Sequence, residues 1–185
     1  MAGGLPRSGG LVERLNLALP PAPGHDPGNL EGRTAWMVSR FAALTPLLAP
    51  RSVAIIGASG DPTRIGGRPI KYMKLSGFKG DVWPVNPNRP EVQGLKAYPS
   101  VADLPGTPDV AIIAVPAAIA QQAVEDLGRR GAKAAIMFTA GFAEVDPAGE
   151  AAQDKLVVAA RAHGMRLLGP NCLGVFDGRT GYYAT

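Results

Sequence analysis

The sequence predicts an α/β fold: a Rossmann-like, doubly wound, mainly parallel sheet with helices on both faces. Three observations predict it. Short runs of Val, Ile and Ala recur at 52–56, 109–115 and 133–138. They are too uniformly apolar for one-sided strands and suit strands covered on both faces. Stretches of helical apolar spacing lie between the later runs. Glycine or proline stands at most of the junctions, where the chain must change direction. Strand, helix, strand at this rhythm means parallel βαβ units with right-handed crossovers.

Residues 1–29 are rich in Gly and Pro and read as a flexible tail, with helical spacing only over 11–19. His25 lies in this tail, between Gly24 and Asp26. Residues 30–48 read as a helical lead-in. Trp36, Met37, Phe41 and Leu44 share one broad face, and Pro46 ends or bends the helix. The domain proper is expected over 49–185.

The first strand, 52–56, ends at Gly57. Gly60, Gly66 and Gly67 follow, so the backbone can turn sharply and approach a ligand. Pro69 reads as the first residue of a helix that runs to Ser76 and is closed by Gly77. The second strand covers 81–86, where Pro84 requires a place at which a ladder bond can be missed. Residues 87–99 read as loop, and 109–115 as the third strand. Pro116 opens a helix to Arg130, with Ile119, Ala120, Ala123, Val124 and Leu127 as its buried stripe. Gly131 closes it. The fourth strand covers 133–138. Asp146 and Pro147 read as N-cap and first residue of a helix to His163. Gly164 ends that helix, and 165–168 is the fifth strand.

Composition narrows the function. The chain has 185 residues, 46% of them hydrophobic, and a mean hydropathy of +0.06, enough for one domain with a core. No apolar run reaches bilayer-spanning length. Charged and Pro-Gly positions break up any leader-like segment, so a cytoplasmic protein without membrane partners is expected. A single cysteine, Cys172, excludes an internal disulfide framework and a multi-cysteine metal site. The net charge of +4 is modest and its Lys and Arg residues are scattered, which argues against nucleic acid as a partner.

In such sheets ligands bind beyond the carboxyl ends of the strands, near the switch point. That rule selects 58–67, 86–89, 116–118, 139–142 and 169–174. The first of these is a glycine turn opening a helix, which offers free N–H groups and positive dipole to an anion. It is not the G-x-G-x-x-G fingerprint, and strand two lacks the acidic residue that would hold a ribose 2′-hydroxyl. That strand runs instead into Asn86-Pro87-Asn88-Arg89, where a basic side chain could pair with a phosphorylated ribose. NADP and coenzyme A remain open on these grounds. No Gly-Lys-Ser/Thr follows the turn, so it is not a P-loop.

The set SVAIIGAS…IGG, VWPVNPNRPEVQGLKAYPSVADLP, AIIAVPA, MFTAGFAE and RLLGPNCLG resembles the N-terminal CoA-binding domain of NDP-forming acyl-CoA synthetases. These include ADP-forming acetate–CoA ligases and are related to the succinyl-CoA synthetase α subunit. The resemblance covers 47–185 and implies coenzyme A, or an acyl-CoA, as the cofactor. By position, Ser59, Gly60, Asp61 and Pro62 would face its diphosphate, with Gly57, Ala58 and Gly67 shaping the same turn. Arg89 would lie near the CoA phosphates, beside Asn86 and Pro87. Val115, Pro116, Ala117, Thr139, Ala140 and Gly141 would line the cofactor. Asn171 would sit in the last loop, near the reacting end. Main-chain N–H groups and a few basic side chains can hold such phosphates without a metal. Arg64, Arg68 and Lys71 are further basic candidates.

The resemblance also implies what this stretch does not supply. Ligation in the family passes through a phosphohistidine on a flavodoxin-like domain, and an ATP-grasp unit handles the nucleotide. Neither His25 nor His163 replaces that histidine, since His163 reads as a helix-terminal residue capping carbonyls. Cys172 reads as a buried small residue rather than a nucleophile. Glu144 and Asp146 read as loop and helix-cap residues. No catalytic residue is therefore expected, and the chain alone is not expected to complete ligation. The leading expectation is a CoA-binding domain or subunit of an acyl-CoA synthetase, with phosphohistidine and ATP-grasp parts in trans. The alternatives are a stand-alone CoA-binding regulatory or carrier protein, and an NADP-binding Rossmann protein.

Overall fold

The computed structural model describes residues 42–185. The expectations for the 1–29 tail and for the lead-in up to residue 41 fall outside them. Of that lead-in, the described part contains α1 (Thr45–Leu48).

The central sheet has five parallel strands: β1 (Ser52–Ile56), β2 (Asp81–Val85), β5 (Val110–Ile113), β6 (Ala134–Met137) and β7 (Arg166–Leu168). Their spatial order is β2-β1-β5-β6-β7, and every neighbouring pair is parallel. The chain steps from β1 outward to β2, then returns to β5 on the other side of β1. The switch point is therefore the gap between the carboxyl ends of β1 and β5. The inner strands are apolar because both faces are covered: Val53, Ala54, Ile55, Ile112 and Ile136 are fully buried. Burying one Ile or Val of this kind contributes roughly 1.5–3 kcal/mol.

Helix α2 (Arg68–Leu75) covers one face through Pro69, Ile70 and Met73. Helices α3 (Ala117–Arg130) and α4 (Pro147–Ala162) cover the other through Ala120, Val124, Leu127, Leu156 and Ala160. Capping follows the sequence. The Asp146 carboxylate accepts the Gly149 N–H at 2.7 Å, and Gly131 closes α3 in the left-handed region. Pro84 lies on β2, an edge strand, where its missing N–H leaves no inner ladder bond unmade. No helix among the described residues is long and apolar enough to cross a membrane.

Several expectations need correction. Helix α2 starts at Arg68 and α3 at Ala117, one residue before and one after the positions expected, with Gly67 and Pro116 as their N-caps. Ile119 is 53% exposed and lies off the buried stripe of α3, which extends to Gly128 instead. The 87–99 segment is not all loop. It holds a hairpin of β3 (Glu91–Val92) and β4 (Leu95–Lys96). Gln93 and Gly94 at its tip both have positive φ, the signature of a tight hairpin turn. A second hairpin, β8 (Val175–Asp177) and β9 (Tyr182–Ala184), follows the fifth parallel strand. It packs the fully buried Tyr182 into the α2 side of the core, 5.9 Å from the Phe78 ring. His163 is the C-cap of α4, but it caps through its main-chain N–H, which donates to the Ala160 carbonyl at 3.2 Å, and not through its ring. A Cβ added to Gly128 would fall 2.3 Å from His163 Cδ2, so the imidazole lies directly against α3.

Candidate functional site

A cleft of about 510 Å³ opens at the switch point, within the usual range for small-molecule sites. Three strand ends build it. The turn after β1 supplies Gly57, Ala58, Ser59, Asp61, Arg64, Ile65 and Gly66. The segment after β2 supplies Asn86 and Arg89, and the end of β5 supplies Ala114.

Close main-chain packing explains the glycines here. Gly57 has φ +82, and a Cβ on it would meet the Ala114 carbonyl oxygen at 2.5 Å. A Cβ on Gly66 would fall 2.2 Å from the Gly57 carbonyl oxygen. No side chain fits in either space, so the turn folds onto its own origin. The Ser59 N–H donates to the Gly66 carbonyl at 3.2 Å and closes the loop. The N–H groups of Gly57 and Ala58 both donate to the Val85 carbonyl at 3.1 Å, joining the turn to β2. The N–H groups of Gly60, Ile65 and Gly66 find no acceptor among the described residues. Of these, Ile65 and Gly66 line the cleft, just ahead of the N-terminus of α2.

Side chains brace this turn. Asn86 Nδ2 donates to the Ala58 carbonyl at 2.8 Å, while Asn86 Oδ1 accepts the Asn88 N–H at 2.8 Å. Asp61 Oδ1 accepts both the hydroxyl and the N–H of Thr63, at 2.7 and 2.8 Å. The Thr63 hydroxyl, above all, holds the Asp61 carboxyl below its ordinary pKa. Arg64 Nε stands 3.6 Å from Asp61 Oδ2, with its side chain 76% exposed. Arg89 lies over the turn: a Cβ on Gly60 would be 3.5 Å from its Nη1. Its guanidinium makes no hydrogen bond or ion pair with the described residues. Arg64 and Arg89 thus line one cleft beside a turn that keeps N–H groups unpaired, a donor set that fits phosphate oxygens.

The structure gathers Gly57, Ala58, Ser59, Asp61, Arg64, Asn86 and Arg89 in the cleft wall. Gly60 lies beneath Arg89, and Gly67 closes the foot of the turn, where a Cβ would meet the Asp61 carbonyl oxygen at 2.0 Å. Pro62 and Pro87 are exposed on the flanking loops. Arg68 turns back, its Nε donating to the Thr63 carbonyl at 3.0 Å. Lys71 stands over the Tyr72 ring, outside the cleft lining.

The other expected residues form a neighbouring stretch of the same rim. Thr139 Oγ1 donates to the Val115 carbonyl at 2.7 Å, and the Asn171 N–H donates to the Thr139 carbonyl at 2.9 Å. A Cβ on Gly141 would touch Ala117 Cβ at 3.4 Å. The ends of β5, β6 and β7 are thereby linked in series, with Pro116 and Ala140 exposed on them. Glu144 clamps the Gly141 and Phe142 N–H groups at 2.7 and 3.2 Å. The Gly141 bond is the main reason its carboxyl sits below the ordinary value. Cys172 Sγ donates to the Met137 carbonyl at 3.4 Å, and burial pushes its thiol pKa up.

Two cleft residues, Ala114 and Ile65, carry no signal in the sequence. Ala114 follows directly on β5, within the 109–115 run that reads as strand. Ile65 sits inside the glycine turn beside Gly66, but an isoleucine does not mark itself as a ligand contact. Gln93, whose side chain reaches this turn from the β3–β4 hairpin, carries no sequence signal at all.

The α subunit of the ADP-forming acetate–CoA ligase II of Pyrococcus furiosus is 42% identical over 137 residues, 74% of this chain and 30% of that one. A solved acetyl-coenzyme A synthetase 1 of Ca. Korarchaeum cryptofilum, in complex with phosphate and ADP, superimposes with a TM-score of 0.73. It is 41% identical, over 77% of this chain and 30% of that one. This chain thus spans just under a third of the length of either. A solved hypothetical protein of Pyrococcus horikoshii OT3 is nearer in size: 28% identity, TM-score 0.54, 72% of this chain and 85% of that one. Residues 51–177 match the CoA binding domain family, and the chain belongs to that family.

Proposed function

We propose that the chain binds coenzyme A, or an acyl-CoA, across the cleft and serves as the CoA-binding part of an NDP-forming acyl-CoA synthetase. One observation carries the reading: in a member of the CoA binding domain family, Arg64 and Arg89 line a cleft at the switch point, beside a glycine turn that keeps N–H groups unpaired. The charge of CoA lies in a diphosphate and a 3′-phosphate, which such donors match. When bound, the cofactor supplies the thiol that accepts the acyl group. This chain's residues hold and orient it: the 57–67 turn and Arg89 take phosphates, and the Thr139 and Asn171 loops flank the reacting end. Ligation itself then draws on phosphohistidine and ATP-grasp parts, and the subunit naming of the Pyrococcus furiosus relative supports partners in trans. Among the described residues His163 is the one histidine, and its ring packs on Gly128, so it does not take the phosphoryl role. We place this activity in the cytoplasm.

A second reading is a stand-alone CoA-binding protein, since a Pyrococcus horikoshii chain 28% identical to this one carries the matching fold over 85% of its own length. The higher identity to the synthetases favours the first.

A thermal-shift titration with CoA, dephospho-CoA, NADPH and NADH tests the ligand. CoA should raise the melting temperature as ligand exceeds its dissociation constant, because only the native state binds. Stabilisation by NADPH and none by CoA would overturn the reading.

A further inference from the structure

We propose that Gln93 is a positioning residue for the anion-binding turn: its side-chain amide ties together the two feet of the 59–67 loop and holds the loop's free N–H groups in place. The inference rests on the CoA reading for its ligand and on the hydrogen bonds alone for its geometry.

Gln93 is at the tip of the β3–β4 hairpin with φ +50. A non-glycine residue in the left-handed region is uncommon, and Gln is not among those enriched there. Its side chain is half-buried and aimed at one target. Nε2 donates to the Ser59 carbonyl at 2.9 Å and to the Gly67 carbonyl at 3.0 Å. These carbonyls are the first and last of the loop excursion. Both amide hydrogens are thus used, one on each foot. Between the feet lie the unpaired N–H groups of Gly60, Ile65 and Gly66.

The hairpin tip is itself anchored. Lys74 Nζ, from the last turn of α2, donates to the Gln93 carbonyl at 2.7 Å. Val92 inserts into the core at 1% exposure. The amide therefore acts from a fixed base, and the order it imposes is not lost again when a ligand arrives. Donors held in place before binding raise affinity by removing the ordering step.

The test separates the contact from the turn. Gln93→Asn keeps a residue that tolerates positive φ but is one methylene too short to reach both carbonyls. Gln93→Glu keeps the length and replaces two donors with a carboxylate facing two carbonyl oxygens. For Gln93→Asn the ligand-free melting temperature should stay within about 4 °C of the parent, while the CoA dissociation constant rises roughly tenfold. For Gln93→Glu the loss should be larger at pH 8 and shrink toward pH 5 as the carboxyl gains a proton and one donor. The parent chain should show no matching pH trend.

Amide hydrogen exchange of the ligand-free proteins decides the same point without any ligand. Exchange at Ser59 and Gly67 should quicken in Gln93→Asn while β1 stays protected. Unchanged exchange there, or equal CoA affinity in parent and Gln93→Asn, would overturn the proposal. A parent chain that fails to bind CoA would overturn the ligand reading, and the exchange data would still decide the role of Gln93.

Discussion

The side-chain amide of Asn86 donates to the Ala58 carbonyl at 2.8 Å, so the end of β2 holds the turn that leaves β1. The same side chain accepts the Asn88 N–H and shapes the approach to Arg89. Asn86→Asp keeps the acceptor and removes the donor. It leaves a half-buried carbonyl without its partner and sets a negative charge beside it. We expect a loss of about 1–3 kcal/mol in urea unfolding, and weaker CoA binding. Asn86→Ala should lose the Asn88 contact as well. A urea midpoint equal to the parent's for both variants would show that the bond holds nothing.

Gly66 is the tightest contact in the cleft wall. Gly66→Ala would drive a methyl group to 2.2 Å from the Gly57 carbonyl oxygen, which only main-chain movement relieves. Gly77→Ala offers the control: φ is +71 but the space is open, and the substitution should cost about 1 kcal/mol from backbone strain alone. We expect Gly66→Ala to be the more destabilising by thermal melting and to abolish CoA binding.

Arg89 reaches the cleft as an unpaired guanidinium. If it pairs with the 3′-phosphate, Arg89→Ala weakens CoA more than dephospho-CoA, by roughly 1.5–3 kcal/mol. Calorimetric titration with both ligands measures this. Equal losses would move its contact to the diphosphate.

Glu144 gives a pH signature. Its carboxyl is held low chiefly by the Gly141 N–H. A depressed native pKa means stability that is present above the unfolded value and lost as pH falls through the native one. Glu144→Ala should therefore melt below the parent at pH 7, and the gap should close on acidification below about pH 4. The effect is small, because the group is exposed and solvent screens it. A gap that widens in acid would contradict this assignment.

Cys172 runs the opposite way. Desolvation raises its thiol pKa in the folded chain, so the thiol's contribution is complete below the unfolded value and fades as pH rises through the native one. Alkylation by iodoacetamide at pH 7.5 should be slow in the native protein and fast in urea. Equal rates would place the thiol in solvent.

The parallel sheet was legible because its inner strands β1, β5 and β6 are buried on both faces. The run at 52–56 has no polar face to confuse it, and β1 has those bounds. Helix α4 was legible through the Asp146-Pro147 pair, which works by local geometry alone. The hairpins were not. Two-residue strands such as β3 and β4 are too short for any periodicity, and a Gln-Gly tip is not a usual hairpin turn. Ile119 has the spacing of a buried position yet lies beyond the sheet's reach. Cleft residues supplied by glycine turns could be read. Gln93 could not, because its role depends on which distant carbonyls the fold carries to it.

The main-chain donors of the 57–67 turn have a further consequence. Peptide N–H groups do not titrate, and guanidinium stays protonated throughout the physiological range. If the turn and Arg89 hold CoA as proposed, any acidity dependence of binding should enter from the guest's own phosphates, or from Asp61 in strong acid. Near neutral pH such a hold on a polyanion should follow ionic strength instead.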